Sequence, residues 1–173
     1  FMGLYRFCSK RKMGGYPVVS LTKKKFNRKR WLLFAGLLAL CWLPVWIIYF
    51  PGIVPDDATI SIAMFLGDMP WDNHYPVFYS LIIGVCLKIG DLFLDYNAGV
   101  ALYSFLQLGT MALILGRTLE WLRSKGIHKV LVYFGLAFFG AVPFFGNYAI
   151  VMWKDPWFCG IMLLLGMFLY DHV

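Results

Sequence analysis

An all-α integral membrane protein, with four membrane-spanning helices and two further helices in the first external loop, is what three observations predict. The 173 residues are 61% hydrophobic and 19% aromatic, with a mean hydropathy of +0.69, which is too apolar for a soluble globular domain. The apolar residues gather into runs suited to a hydrocarbon core of ~30 Å. Charge is sorted along the chain. Ten of the sixteen Lys and Arg fall in the first 30 positions with no acid among them, and Arg117 to Lys129 adds four more against Glu120 alone. Six of the nine carboxylates lie between Asp56 and Asp95. Acids therefore collect on one side of a membrane and bases on the other, with the basic side in the cytoplasm.

The net charge of +7 does not imply a nucleic-acid partner. The bases form juxtamembrane clusters without an RNA- or DNA-binding motif, a pattern that fixes topology and attracts anionic lipid. Cys8, Cys41, Cys86 and Cys159 have no paired spacing, so they read as small packed residues outside any disulfide or metal site. The chain starts at Phe1 and stops at Val173 directly after an apolar run, which reads as a piece of a longer polypeptide. The run Trp31 to Phe50 is too long for the core of a secretory signal.

In order, residues 1–30 read as a basic, poorly ordered cytoplasmic tail, and residues 31–173 as the transmembrane module. The first span is about 31–50, kinked at Pro44, with Trp31, Trp46 and Tyr49 at interfacial depth. Residues 56–67 read as a short external helix, started by Pro55 and capped by an Asp. Residues 75–94 are apolar enough to cross, yet a crossing there would put Arg117 to Lys129 on the wrong side. On a helical wheel Ser80, Gly84, Lys88, Asp91 and Asp95 fall in a stripe about 80° wide. That pattern predicts a helix lying on the outer leaflet with its polar seam upward. The second span is about 98–116, with Ser104, Gln107 and Thr110 facing other helices. Arg117 to Lys129 is then a cytoplasmic turn broken at Gly126, 130–148 a third span kinked at Pro143, and 157–173 the start of a fourth. Met152 to Pro156 is placed in the second external loop.

Few residues offer chemistry. Asp57, with Asp56 beside it, sits at the outer face, where a carboxylate can take a proton from an acceptor hydroxyl; an Asp there also serves simply as a helix cap. His74, before Tyr75 and Pro76, can bind phosphate or move a proton, and also serves as a plain hydrogen-bonding residue. Lys154 is a compact cation suited to a phosphate, or else a snorkelling anchor paired with Asp155. No P-loop or GxGxxG is present, so no bound nucleotide is implied. No cofactor is expected, and two adjacent carboxylates specify no ligand set for a divalent metal.

The order of basic tail, span, Pro51-Gly52 with an Asp beyond, Asn73-His74 with Pro76, Asn97 to Gln107 (NAGVALYSFLQ), basic turn and Met152 to Asp155 (MWKD) resembles an uncharacterised family of bacterial multi-pass membrane proteins. That family looks like the GT-C superfamily of membrane glycosyltransferases, which includes protein O-mannosyltransferases and the lipid A aminoarabinose transferase. The resemblance runs from about Trp31 to Tyr170. It implies a GT-C-like fold in a bacterial plasma membrane, and a polyprenyl-phosphate sugar as donor to a glycan, lipid or protein acceptor. It also implies Asp57 as catalytic base and Asp155 as the acid of the second external loop. Where that superfamily has His directly before Pro, this chain has Tyr75, with His74 one place earlier. Two other classes fit the spans: a transporter or flippase module for a lipid-linked sugar, and a non-catalytic assembly subunit. The carboxylates of the first external loop argue against a transporter, whose charges usually lie near the midplane.

Overall fold

A computed structural model describes residues 24–72 and 74–172. Within them the chain is all-α, built from α1 (Arg28–Ile48), α2 (Asp56–Leu66), α3 (Val77–Phe93), α4 (Tyr96–Ser124), α5 (Lys129–Ala141), α6 (Pro143–Ile150) and α7 (Lys154–His172). The β pairing among the described residues is an isolated parallel bridge between Ile53 and Val151. Residues 1–23 of the expected tail lie outside the described residues. The rest of that tail is fixed in place. Lys24 N–H donates to the Ser124 carbonyl at 2.8 Å, Arg123 reaches the Lys25 carbonyl at 2.9 Å, and Arg28 already belongs to α1.

Asn27 starts α1 by accepting from the N–H groups of Lys29 and Arg30, as a good N-cap does. Helix α1 runs antiparallel to α4 along its length. Trp46 donates to Ser104 Oγ at 2.8 Å, Leu38 and Trp42 pack with Leu108 and Ala112, and Phe34 meets Leu119. Asn27 N–H donates to Glu120 Oε1 at 2.8 Å. Glu120 is fully buried and is held by Arg123 at 2.5 and 2.7 Å, so the one acid of the basic stretch locks the start of α1 to α4.

The α5–α6 pair turns by 62° at Val142–Pro143. Proline fits the first position of α6, where its missing N–H is needed by no partner. The pair advances along α1 from end to end: Val132 packs with Phe34, Gly140 faces Cys41, Gly146 faces Val45, and Val151 pairs with Ile53. Helix α7 follows α4 in parallel, from Trp157 at Tyr103, through Gly160 against Met111 and Ile114, to Asp171 at Trp121 and Lys125. The four lengths thus alternate in direction. Side chains such as Leu33, Leu40, Phe134 and Leu165 point outward.

Among the described residues two helices, α1 and α4, are long and apolar enough to cross a membrane, and α5–α6 passes the same test if counted as one broken span. Helix α7 has 19 residues but carries Lys154, Asp155 and Asp171.

The remaining helices sit at the end where α1 finishes and α4 begins. The α3–α4 corner is tight: a Cβ on Gly90 would lie 2.0 Å from Gly99 N, so backbone meets backbone there. Gly90 and Leu87 both lie at Gly99, while Tyr79 reaches Tyr103. Roughly 16 Å of α3 is therefore served by roughly 6 Å of α4 at 1.5 Å per residue, and α3 crosses the end of α4 steeply. Phe78, Leu81, Val85, Ile89 and Leu92 form its exposed apolar stripe.

Several expectations need correction. Pro55 is the N-cap of α2, and Asp56 and Asp57 lie in the first turn with no side-chain cap bond. The α3 seam divides. Lys88, Asp91 and Asp95 are exposed, whereas Ser80 and Gly84 are buried, Gly84 lying against the Phe65 ring of α2. Most of the stretch from Arg117 is not a turn but the last two turns of α4, and the chain reverses only around Gly126, at φ 92°. Lys154 and Asp155 begin α7 and do not lie in a loop. Of the described cysteines Cys86 is buried, while Cys41, on the side facing Gly140, and Cys159 are exposed, so only the first is fully packed; Cys8 lies outside the described residues.

Candidate functional site

The acidic end of the bundle brings together residues far apart in sequence, and the span α4 organises them. Its motif Tyr103-Ser104-Phe105-Leu106-Gln107 holds both loops at that end. Ser104 Oγ donates to the Pro51 carbonyl at 2.7 Å while receiving Trp46. Gln107, fully buried, donates its amide toward the carbonyls of Tyr148, Ala149 and Val151, the last at 2.6 Å. Those carbonyls are freed where α6 ends, and a buried carbonyl without a donor would be costly. Ser104 and Gln107 are two of the three polar residues expected to face other helices. The third, Thr110, bonds back to the Leu106 carbonyl of its own helix at 2.8 Å.

The link from α6 to α7 is pinned on its other side as well. Met152 N–H donates to the Ile53 carbonyl at 2.9 Å, and the Tyr79 hydroxyl donates to the Met152 carbonyl. Tyr79 stacks edge-on with Tyr103 at 6.3 Å between ring centres, and Tyr103 Oη accepts from the Trp157 indole at 2.9 Å. Burial pushes the Tyr79 hydroxyl well above its usual ionisation range, and the neighbouring Tyr103, Asp57 and Asp155 push it further. Tyr79 therefore stays a neutral donor, with two carboxylates from different helices close enough to act on it.

Around this centre lie the residues singled out in the sequence. Asp57 is half-buried in the first turn of α2, and Asp56 is exposed; both occupy the positive end of the helix dipole, which favours carboxylates. His74 is exposed, in the turn before α3, with its N–H on Asp72 Oδ1 at 3.0 Å. Its ring stands edge-on to Tyr75 at 5.0 Å. The Lys154 ammonium lies over the Tyr75 ring at 5.6 Å. The Lys154–Asp155 pairing, the alternative to a phosphate contact, does not form: the ion pairs among the described residues are Arg123–Glu120 and Lys125–Asp171. Among the described residues no cluster of three or more His, Cys, Asp or Glu is placed to hold a metal ion.

A groove of about 350 Å³ opens between α3 and α7 beside this set. Phe78, Ile82, Phe158 and Ile161 give it apolar walls, and Tyr79, Lys154 and Asp155 lie along it. Asp57 does not line it. The structure thus brings together Asp155, Lys154, Tyr75 and Tyr79 at the start of α7, sets Asp57 on the neighbouring α2 within electrostatic reach of Tyr79, and leaves Asp56 and His74 at the surface. Sequence reasoning passed over Tyr79, Tyr103 and Trp157, although Tyr103 lies inside the NAGVALYSFLQ stretch it quoted.

The description "family of unknown function (DUF6020)" matches residues 71–173. That range contains His74, Tyr75, Lys154 and Asp155 and begins after Asp56 and Asp57. No curated protein and no solved structure matches the chain.

Proposed function

We propose that this chain, which belongs to the DUF6020 family, is part of a membrane glycosyltransferase that takes a sugar from a polyprenyl-phosphate donor at its acidic end. The observation that carries the reading is the groove between α3 and α7: apolar walls for a prenyl chain, and Lys154 beside them for the phosphate. An ammonium stacked on Tyr75 and without a carboxylate partner among the described residues is a cation available to a ligand. Asp57, on the far helix but within electrostatic reach of Tyr79, takes the proton from the acceptor hydroxyl as the phosphate leaves. Most of the rate comes from positioning and from charge stabilisation at the phosphate.

In this reading α1, α4, α5–α6 and α7 each cross the bilayer, α2 and α3 lie at its outer surface, and the basic end faces the cytoplasm of a bacterial cell. The exposed apolar stripe of α3 then rests in lipid, and its exposed Lys88, Asp91 and Asp95 meet water.

Lys154 supplies the test. Lys154→Met should raise the apparent Michaelis constant for donor, and Lys154→Arg should do so less, because charge is the requirement. Equal donor binding by wild type and Lys154→Met would remove the groove from the reaction. Donor binding that depends on Lys154, with movement of the lipid-linked sugar between leaflets and no transfer, would instead identify a flippase.

A further inference from the structure

We propose that a second cleft, at the basic end of the bundle, binds an anionic phospholipid, with the phosphate at Arg117 and an acyl chain lying between α4 and α7. The cleft holds about 490 Å³. Leu113, Leu164 and Phe168 wall it, and Trp31, Arg117, Trp121 and Asp171 stand at its mouth.

Charge at the mouth decides the occupant. The exposed Arg117 guanidinium stacks over Phe26 and Trp31, 5.6 and 5.7 Å from the ring centres, and makes no ion pair among the described residues. Asp171 does not offset it. That carboxylate is taken up by the Lys125 ammonium and by the Trp121 indole at 3.1 Å, and Lys125 lies over the rings of Trp121 and Tyr170. An uncompensated cation held beside two aromatic rings, at the lip of an apolar trench, matches a phosphate joined to a hydrocarbon chain. A zwitterionic lipid carries the same phosphate but sets its own cation beside it, so it matches the uncompensated charge of Arg117 less well than an anionic lipid does.

The experiment offers lipid to the purified protein after delipidation in neutral detergent and counts bound molecules by native mass spectrometry. Phosphatidylglycerol should be retained at roughly tenfold lower concentration than phosphatidylcholine with the same acyl chains, and Arg117→Gln should erase that preference. Lys29→Gln, which removes an exposed cation of the same end outside the cleft, should leave the preference intact. Leu164→Trp, which fills the trench, should lower retention of phosphatidylglycerol with Arg117 still present. Equal retention of the two lipids by wild type overturns the proposal, as does an equal loss in Lys29→Gln and Arg117→Gln, which would mean diffuse attraction. Removal of residues 1–23 that raises retention several-fold would assign the cleft to the tail and overturn it as well. If Arg117→Gln does not fold, Leu164→Trp decides: unchanged retention there overturns it.

Discussion

Asp57 and Asp56 are neighbours in one helical turn, yet they differ in surroundings: Asp57 is half-buried, with its charge felt at Tyr79, and Asp56 is exposed. If Asp57 is the base, Asp57→Asn keeps the side chain's size and removes its ability to accept a proton, so turnover should fall by on the order of 10²–10⁴. Stability should change little. Neither carboxylate makes a cap hydrogen bond, so what is lost is the interaction with the helix dipole, about 0.3–1 kcal/mol. Asp56→Asn is the paired control, with near-normal turnover expected. Transfer rates and thermal melts of both variants check this, and a folded Asp57→Asn protein with full activity would end the assignment. The residues alone flag the pair and the resemblance favours Asp57, but the physical difference between the two, burial and the nearness of Tyr79 22 places further along the chain, is set by tertiary packing that spacing does not reveal.

The packing of α3 against its neighbours turns on two glycines, Gly84 facing α2 and Gly90 facing α4. A helical wheel drawn for α3 alone put Gly84 in a polar seam and gave Gly90 no part. In the fold Gly84 lies under Phe65, and Gly90 touches the backbone of α4. A wheel carries no information about which neighbour covers a stripe, so the seam was read as solvated along its whole length. Gly90→Ala must push the helices apart, at a cost of roughly 1–3 kcal/mol or more. Gly109→Ala, in the middle of α4 with nothing within 4 Å of the new methyl, should be neutral or stabilise by up to about 1 kcal/mol through helix propensity. Thermal unfolding in detergent compares the two. The opposite order would mean that α3 is not packed at this corner. The end of α4 departs from expectation for a related reason: charge alone predicts a turn after Gly116, whereas the buried Glu120 and its bond to Arg123 let the helix continue.

Across the molecule the separation of charge was the most legible feature, because it needs only a count along the chain. The placement of helices followed from run lengths, and the 62° bend falls at the proline expected to cause it. The convergence of Ser104, Gln107, Tyr79 and the Met152 carbonyl was not legible. These bonds join residues 41 to 73 positions apart, and a polar residue in a span announces that it has a partner without saying which. The proposed orientation can be tested directly. Cysteines at Asp72 and Asn97, both exposed, should react with an impermeant thiol reagent applied outside intact cells. Labelling of Asn97 only after permeabilisation would mean that α3 crosses the bilayer, and would sink the orientation. Sorting acids to one end and bases to the other also makes the bundle a charged rod in the membrane's own electric field. With the cell interior negative, turning such a rod over works against about 2.3 kcal/mol per elementary charge at 100 mV. In the proposed orientation, the resting voltage then adds to lipid chemistry in holding the acidic groove toward the outside.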